Sequence, residues 1–196
     1  TDSKTVTVTQ GPVANAGPAM AAICQGTSSA NLGGSVAGSA TGGTWSSSAG
    51  GTFSPSATSL NASWTPPASY YGTATLTLTT SGGSCGTDTD SKNIVVNPLP
   101  VPVITGPDEA CITSTGNIYQ TSPGMTNYIW TVSSGGDITA GGGTGNNSVT
   151  VTWENSGPQT VRVIYTNGNG CTAASATVYN VNVQPRPLPT NVQISG

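Results

Sequence analysis

Histidine is absent from the 196 residues, and the chain carries only seven carboxylates: Asp2, Asp88, Asp90, Asp108, Glu109, Asp137 and Glu154. Without an imidazole, neither a Ser/His/Asp nor a Cys/His nucleophilic arrangement can be assembled. Paired-carboxylate chemistry would fall to Asp88 and Asp90, at alternate positions beside a turn. The same oxygens suit calcium better, with Asp88/Asp90 and Asp108/Glu109 each offering two ligands, although no EF-hand-like spacing surrounds either pair. The expectation is a chain with no catalytic residue, no cofactor and no resident metal, calcium being the single ion its carboxylates suit.

Sulfur is the other chemistry on offer. Cys24, Cys85, Cys111 and Cys171 form no CxxC pair, and with no His a zinc site has no ligand set. Two cysteines at matching places in each half indicate paired thiols in an oxidising compartment. Of the three possible connectivities, only Cys24–Cys85 with Cys111–Cys171 makes the same bond twice, and these two bridges are expected. Each would close a loop of about 60 residues, worth roughly 4 kcal/mol in the chain-entropy treatment.

The elements that position these groups occur in duplicate. Thr1-Asp2-Ser3-Lys4 returns as Thr89-Asp90-Ser91-Lys92, and Pro98-Leu99-Pro100 as Pro187-Leu188-Pro189. Cys24 to Cys111, Cys85 to Cys171 and Trp64 to Trp153 keep nearly the same interval. Solenoid units run to about 20–50 residues, so a longer period suits a whole small domain. The boundaries expected are 1–10 as the last strand of a preceding module, 11–97 and 98–185 as two complete modules, and 186–196 as the start of a following module or a linker. No segment is apolar and long enough to span a bilayer, and any export signal is expected outside this stretch.

Alternation with a period of two recurs throughout. Ala74, Leu76 and Leu78 oppose Thr73, Thr75, Thr77 and Thr79; Leu60, Ala62 and Trp64 alternate just upstream. Val149, Val151 and Trp153 oppose Thr150 and Thr152, and Val161, Val163 and Tyr165 oppose Thr160, Arg162 and Ile164. Glycine pairs punctuate the runs, as at Gly50-Gly51, Gly82-Gly83 and Gly135-Gly136. About seven short strands per module read as an antiparallel β-sandwich. Each module has the order Cys, Trp, Trp, Cys, and Trp45, Trp64, Trp130 and Trp153 are expected to fill the space between its sheets. The joints Asn97-Pro98-Leu99-Pro100-Val101-Pro102 and Gln184-Pro185-Arg186-Pro187-Leu188-Pro189 carry alternating prolines that favour stiff, extended backbone.

Composition narrows the partners. Charged residues make up 6% of the chain and the net charge is -3, so no basic footprint for nucleic acid exists. An apolar share of 34% in short alternating runs supports folded modules. Asn61-Ala62-Ser63 and Asn146-Asn147-Ser148 match the N-glycosylation pattern; with Asn61 placed inside a strand, they read as chance matches.

A family resemblance joins these features. Pro12-Val13-Ala14-Asn15-Ala16-Gly17-Pro18, Ile23-Cys24-Gln25-Gly26, Gly51-Thr52-Phe53-Ser54-Pro55-Ser56-Ala57-Thr58 and Trp64-Thr65-Pro66-Pro67-Ala68 resemble repeats of the very large surface adhesins of gliding Bacteroidetes. Ile104-Thr105-Gly106-Pro107, Tyr128-Ile129-Trp130-Thr131-Val132 and Val149-Thr150-Val151-Thr152-Trp153 resemble the PKD-like domains of the same proteins, although the hallmark Trp-x-Phe-Gly-Asp-Gly is replaced at Trp130-Thr131-Val132-Ser133. The resemblance implies two tandem immunoglobulin-like sandwiches, export by the type IX secretion route, and display at the cell surface. The function expected is a non-enzymatic stalk segment of a filamentous gliding-motility adhesin. Its partners would be neighbouring repeats and a surface polysaccharide or substratum, with no nucleic acid and no membrane insertion. The alternative is a carbohydrate-binding or spacer module of a secreted polysaccharide-degrading enzyme, in which Tyr70, Tyr71, Tyr119, Tyr128 and Tyr179 would form an exposed aromatic strip.

Overall fold

The computed structural model describes residues 2–186, which are all strand, turn and loop. The chain separates into two compact units, Thr1–Pro98 and Leu99–Gly196.

The second unit shows the architecture most plainly. It contains β9 (Glu109–Cys111), β10 (Asn117–Gln120), β11 (Thr126–Val132), β12 (Gly136–Gly141), β13 (Ser148–Trp153), β14 (Gly157–Thr166) and β15 (Thr177–Gln184). A four-stranded sheet, β11-β14-β15-β9, faces a three-stranded one, β10-β13-β12. Alternation drives the layering: Val149, Val151 and Trp153 of β13 point inward and meet Trp130 of β11, Val161, Val163 and Tyr165 of β14, and Val181 and Val183 of β15. All pairings are antiparallel except β9 with β15, which run parallel with Ala110 opposite Val183 and Cys111 opposite Gln184.

The first unit repeats this plan with shorter strands: β1 (Val13–Asn15), β2 (Ile23–Cys24), β3 (Ser35–Ala37), β4 (Gly42–Ser47), β5 (Thr52–Ser54), β6 (Ser63–Thr65), β7 (Gly72–Ser81) and β8 (Thr89–Asn97). Its main sheet is β2-β8-β7-β4, and β2 again runs parallel to the last strand, with Cys24 opposite Asn97. The facing layer is built from β5-β6 and from backbone bonds of 29–34 to the segment before β6, among them Leu32 N–H to Ala62 C=O at 2.8 Å. Between the layers lie Leu32, Trp45, Ala62, Trp64, Ala74, Leu76, Leu78, Ile94 and Val96.

Each buried indole finds an acceptor, as a polar N–H in an apolar layer must. Trp45 Nε1 donates to Leu60 O (3.2 Å), Trp64 Nε1 to Gly50 O (2.9 Å), Trp130 Nε1 to Asn146 O (2.9 Å) and Trp153 Nε1 to Tyr119 Oη (3.2 Å). Glycine makes room for two of them. A Cβ at Gly34 would stand 2.6 Å from Trp45, and one at Gly136 2.5 Å from Trp153.

One local expectation changes. Asn61 lies in the turn before β6 and is exposed, because the alternating run Leu60, Ala62, Trp64 is extended only from Ser63 onward. Residues 2–10, for which a strand of a preceding module is expected, pair with no strand among the described residues, and Val6 and Val8 are 80% and 88% exposed. Of the stretch 186–196, residues 187–196 lie outside the described residues.

Candidate functional site

The shared feature of both units is a seam between the strand that opens the main sheet and the strand that closes it. In the first unit the chain passes from Thr9 toward Cys24 alongside β8, from its start to its end. Near the start, Ala14 N–H donates to Asp88 Oδ2 (2.8 Å) and Ala16 N–H to Asp90 Oδ2 (2.7 Å). Near the end, Gln25 N–H donates to Asn97 O (2.8 Å). In the second unit Thr177 Oγ1, at the start of β15, donates to Pro102 O (2.6 Å), while Ile112 N–H donates to Gln184 O (3.0 Å) at its end. Each unit therefore takes in the chain at one pole and releases it at the other, with the strand that opens its main sheet parallel to the strand that closes it.

The cysteines mark these poles. Cys24 and Cys111 occupy equivalent places on the strand that runs beside the last one. Cys24 O accepts from Thr27 N–H (3.0 Å) and Thr27 Oγ1 (2.7 Å), and Cys111 O accepts from Ser114 N–H (3.1 Å) and Ser114 Oγ (2.7 Å). Cys85 and Cys171 sit in the matching hairpin turns, between β7 and β8 and between β14 and β15. Cys85 Sγ lies 3.9 Å from Thr9 O, at the pole where the chain comes in.

This register corrects the expected bridges. Cys24 is beside the last residue of β8, whereas Cys85 precedes its first; a strand of that length covers roughly 26 Å. Cys111 and Cys171 are separated in the same way along β15, by roughly 23 Å. A disulfide holds its two Cα atoms within about 7 Å, so neither Cys24–Cys85 nor Cys111–Cys171 can form. Cys85 and Cys111 are free, exposed thiols, and Cys24 and Cys171 are disulfide-bonded. The clue available from sequence was the order of elements: one cysteine follows the first strands and the other precedes the last. First and last strands running parallel put those positions at opposite ends.

The carboxylates proposed as calcium ligands are used otherwise or stand apart. Asp90 accepts from Ala16 N–H and Ser91 N–H, and these two bonds hold its carboxyl below the ordinary carboxylate range, against a small loss of hydration and with help from Lys92. Asp88 holds Ala14. Asp108 and Glu109 are exposed, and Asp108 borders a cleft of about 350 Å³ with Pro158, Gln159, Asn180, Val181 and Asn182. Among the described residues no three His, Cys, Asp or Glu side chains gather as a metal cage would require.

Lys92 is a charged residue of the first core: alternation along β8 turns it inward beside Ile94 and Val96. Its ammonium donates to Leu32 O and to Pro18 O (3.4 Å) and lies 5.5 Å from the centre of the Trp45 ring. Burial pushes its pKa down, with Asp90 pulling the other way.

The tyrosines make no strip. Tyr119 and Tyr128 are buried, Tyr70 and Tyr179 half-buried, and Tyr71 alone of the five is exposed. Tyr128 Oη donates to Ser122 O (2.7 Å) and accepts from Met125 N–H (3.0 Å). Tyr179 Oη reaches Gly106 O (2.6 Å). Burial raises the Tyr119 pKa; the Trp153 hydrogen bond opposes this and Tyr179 adds to it.

Residues 97–181, nearly the whole second unit, match the PKD-like domain family. No curated protein sequence matches the chain. Among solved structures, domains 1–6 of the surface layer protein SbsC are 13% identical over 90% of this chain, with a TM-score of 0.36, and this chain spans 28% of their length. The fibronectin(III)-like modules of Clostridium thermocellum CbhA are 8% identical over 89% of this chain and 94% of theirs, with a TM-score of 0.34. The human desmocollin-1 ectodomain is 9% identical over 91% of this chain and 42% of its own, with a TM-score of 0.44. The chain is thus an all-β protein whose second unit contains a PKD-like domain, and its disulfide-bonded cysteines fit an oxidising compartment. Such a sandwich is typically a non-catalytic module.

Proposed function

We propose that this segment is a tension-carrying spacer in the stalk of a filamentous cell-surface adhesin used in gliding, built from repeated modules in series. One observation carries the reading: in each unit the strand that begins the main sheet lies parallel to the strand that ends it, the chain coming in at one pole and leaving at the other. A pull between the two poles loads the hydrogen bonds of that seam in shear, so several must break together before the sandwich opens. In the first unit the Asp88 and Asp90 carboxylates add two charge-assisted bonds across this seam. The surface of Thr, Ser, Asn and Gly around the sandwiches keeps a long array hydrated without charge.

Gliding, type IX secretion and anchorage at the outer membrane belong to this proposal through the resemblance of the repeats. The carbohydrate-binding alternative loses its main support, since the tyrosines that would form its platform are mostly in the cores. The test is single-molecule pulling of the chain under reductant, wild type against Asp88→Ala/Asp90→Ala. Lower unfolding force in one of two events supports the seam as the mechanical element. An unchanged force in both events refutes it.

A further inference from the structure

We propose that Cys85 and Cys111 are the sites of inter-module disulfides: Cys85 bonds the strand cysteine of the module that precedes it, and Cys111 the hairpin cysteine of the module that follows. The inference rests on the reading of the chain as a serial array. Each module carries one cysteine at each pole, the hairpin cysteine where the chain comes in and the strand cysteine where it leaves. In any head-to-tail series the strand cysteine of one module and the hairpin cysteine of the next then face the same joint.

Two independent observations favour a bridge over an idle thiol. The register forbids bonding within a module, because the two cysteines lie at opposite ends of the last strand. And each position is disulfide-bonded in the other module: the strand position as Cys24 in the first, and the hairpin position as Cys171 in the second. Cys85 and Cys111 are the same two positions with their thiols free and exposed.

The bond forms by exchange. The Cys85 thiolate attacks a disulfide of a thiol oxidoreductase, giving a mixed disulfide and releasing one of that enzyme's thiolates. The strand cysteine of the preceding module then displaces the second. The pair gives up two protons and two electrons, and the oxidoreductase disulfide leaves as a dithiol. Cys111 follows the same course with the module after it.

The experiment is disulfide mapping on the full-length polypeptide that carries this segment, alkylated with iodoacetamide under denaturing, non-reducing conditions, then digested and read by mass spectrometry. Cys85 and Cys111 are expected unlabelled before reduction, each in a peptide crosslinked to a cysteine of another module, and both labelled after it. Label on either residue before reduction, or a Cys24–Cys85 or Cys111–Cys171 peptide, overturns the proposal. Peptides of flanking modules in the same digest separate the two readings. With them present and the thiols labelled, the bridges fail and the array stands; with them absent, both fall.

Discussion

Cys24 stands beside Asn97, the last residue of β8, while Cys85 precedes that strand's first residue. That relationship removes the sulfur staple from within each module and leaves the packed indoles and the parallel seam to hold the sandwich. Cys85→Ser and Cys111→Ser are therefore expected to shift stability by no more than about 0.5 kcal/mol, as substitutions of exposed groups do. Differential scanning calorimetry checks this; a loss near the 4 kcal/mol of a loop-closing bridge contradicts it.

Each core holds one indole with no exposed surface, Trp64 in the first unit and Trp153 in the second. Trp64→Ala and Trp153→Ala should each cost about 3–5 kcal/mol. For domains of this size that lowers the affected transition by roughly 12 °C or more. Each substitution should act on its own unit and leave the other transition in place.

Glycine contacts give a milder version of the same test. Gly34→Ala drives a Cβ against Trp45 and Gly136→Ala drives one against Trp153. Overpacking of this kind costs about 1–3 kcal/mol. Thermal melts of the two variants should show the first and second transition displaced, respectively.

Much of this was legible beforehand. Period-two alternation located the strands bearing Leu76, Leu78, Val149, Val151, Val161 and Val163, because a half-buried sheet leaves that mark in any sequence. The same alternation, continued backward along β8 from Val96 and Ile94, points Lys92 inward; its charge suggested the surface, yet two carbonyls and an indole accept it. Register was invisible, since it depends on which strands run parallel, and so the cysteine pairing was misjudged. Tyr119 and Tyr128 looked available as a platform, but each hydroxyl has a partner within its own unit.

Alkaline pH should separate the two units. Lys92 has a folded pKa below its ordinary 10.5, so the unfolded chain binds more protons in the interval between, and the first unit gains stability as pH rises through it. Tyr119 has a folded pKa above 10.0, so the unfolded chain ionises first, and the second unit loses stability as pH rises past that value. Melts between pH 9 and 11 should show the transitions moving in opposite directions. Lys92→Met should abolish the rise, and Tyr119→Phe the fall.

At acid pH the seam itself titrates. Asp90 has a folded pKa below 3.8, so its contribution is complete above that value and is lost as pH falls through the folded pKa. The protection of the Ala16 amide against hydrogen exchange, relative to its intrinsic rate, should fall over the same range. In Asp90→Ala it should be low at every pH.

The most direct test of the account is to pull the intact chain from its two ends under reductant. Two separate unfolding events are predicted, each releasing about 250–300 Å of chain, the length of one module drawn out. A single event releasing about twice that length, or smooth extension without a peak, would contradict the claim that two self-contained sandwiches carry load in series.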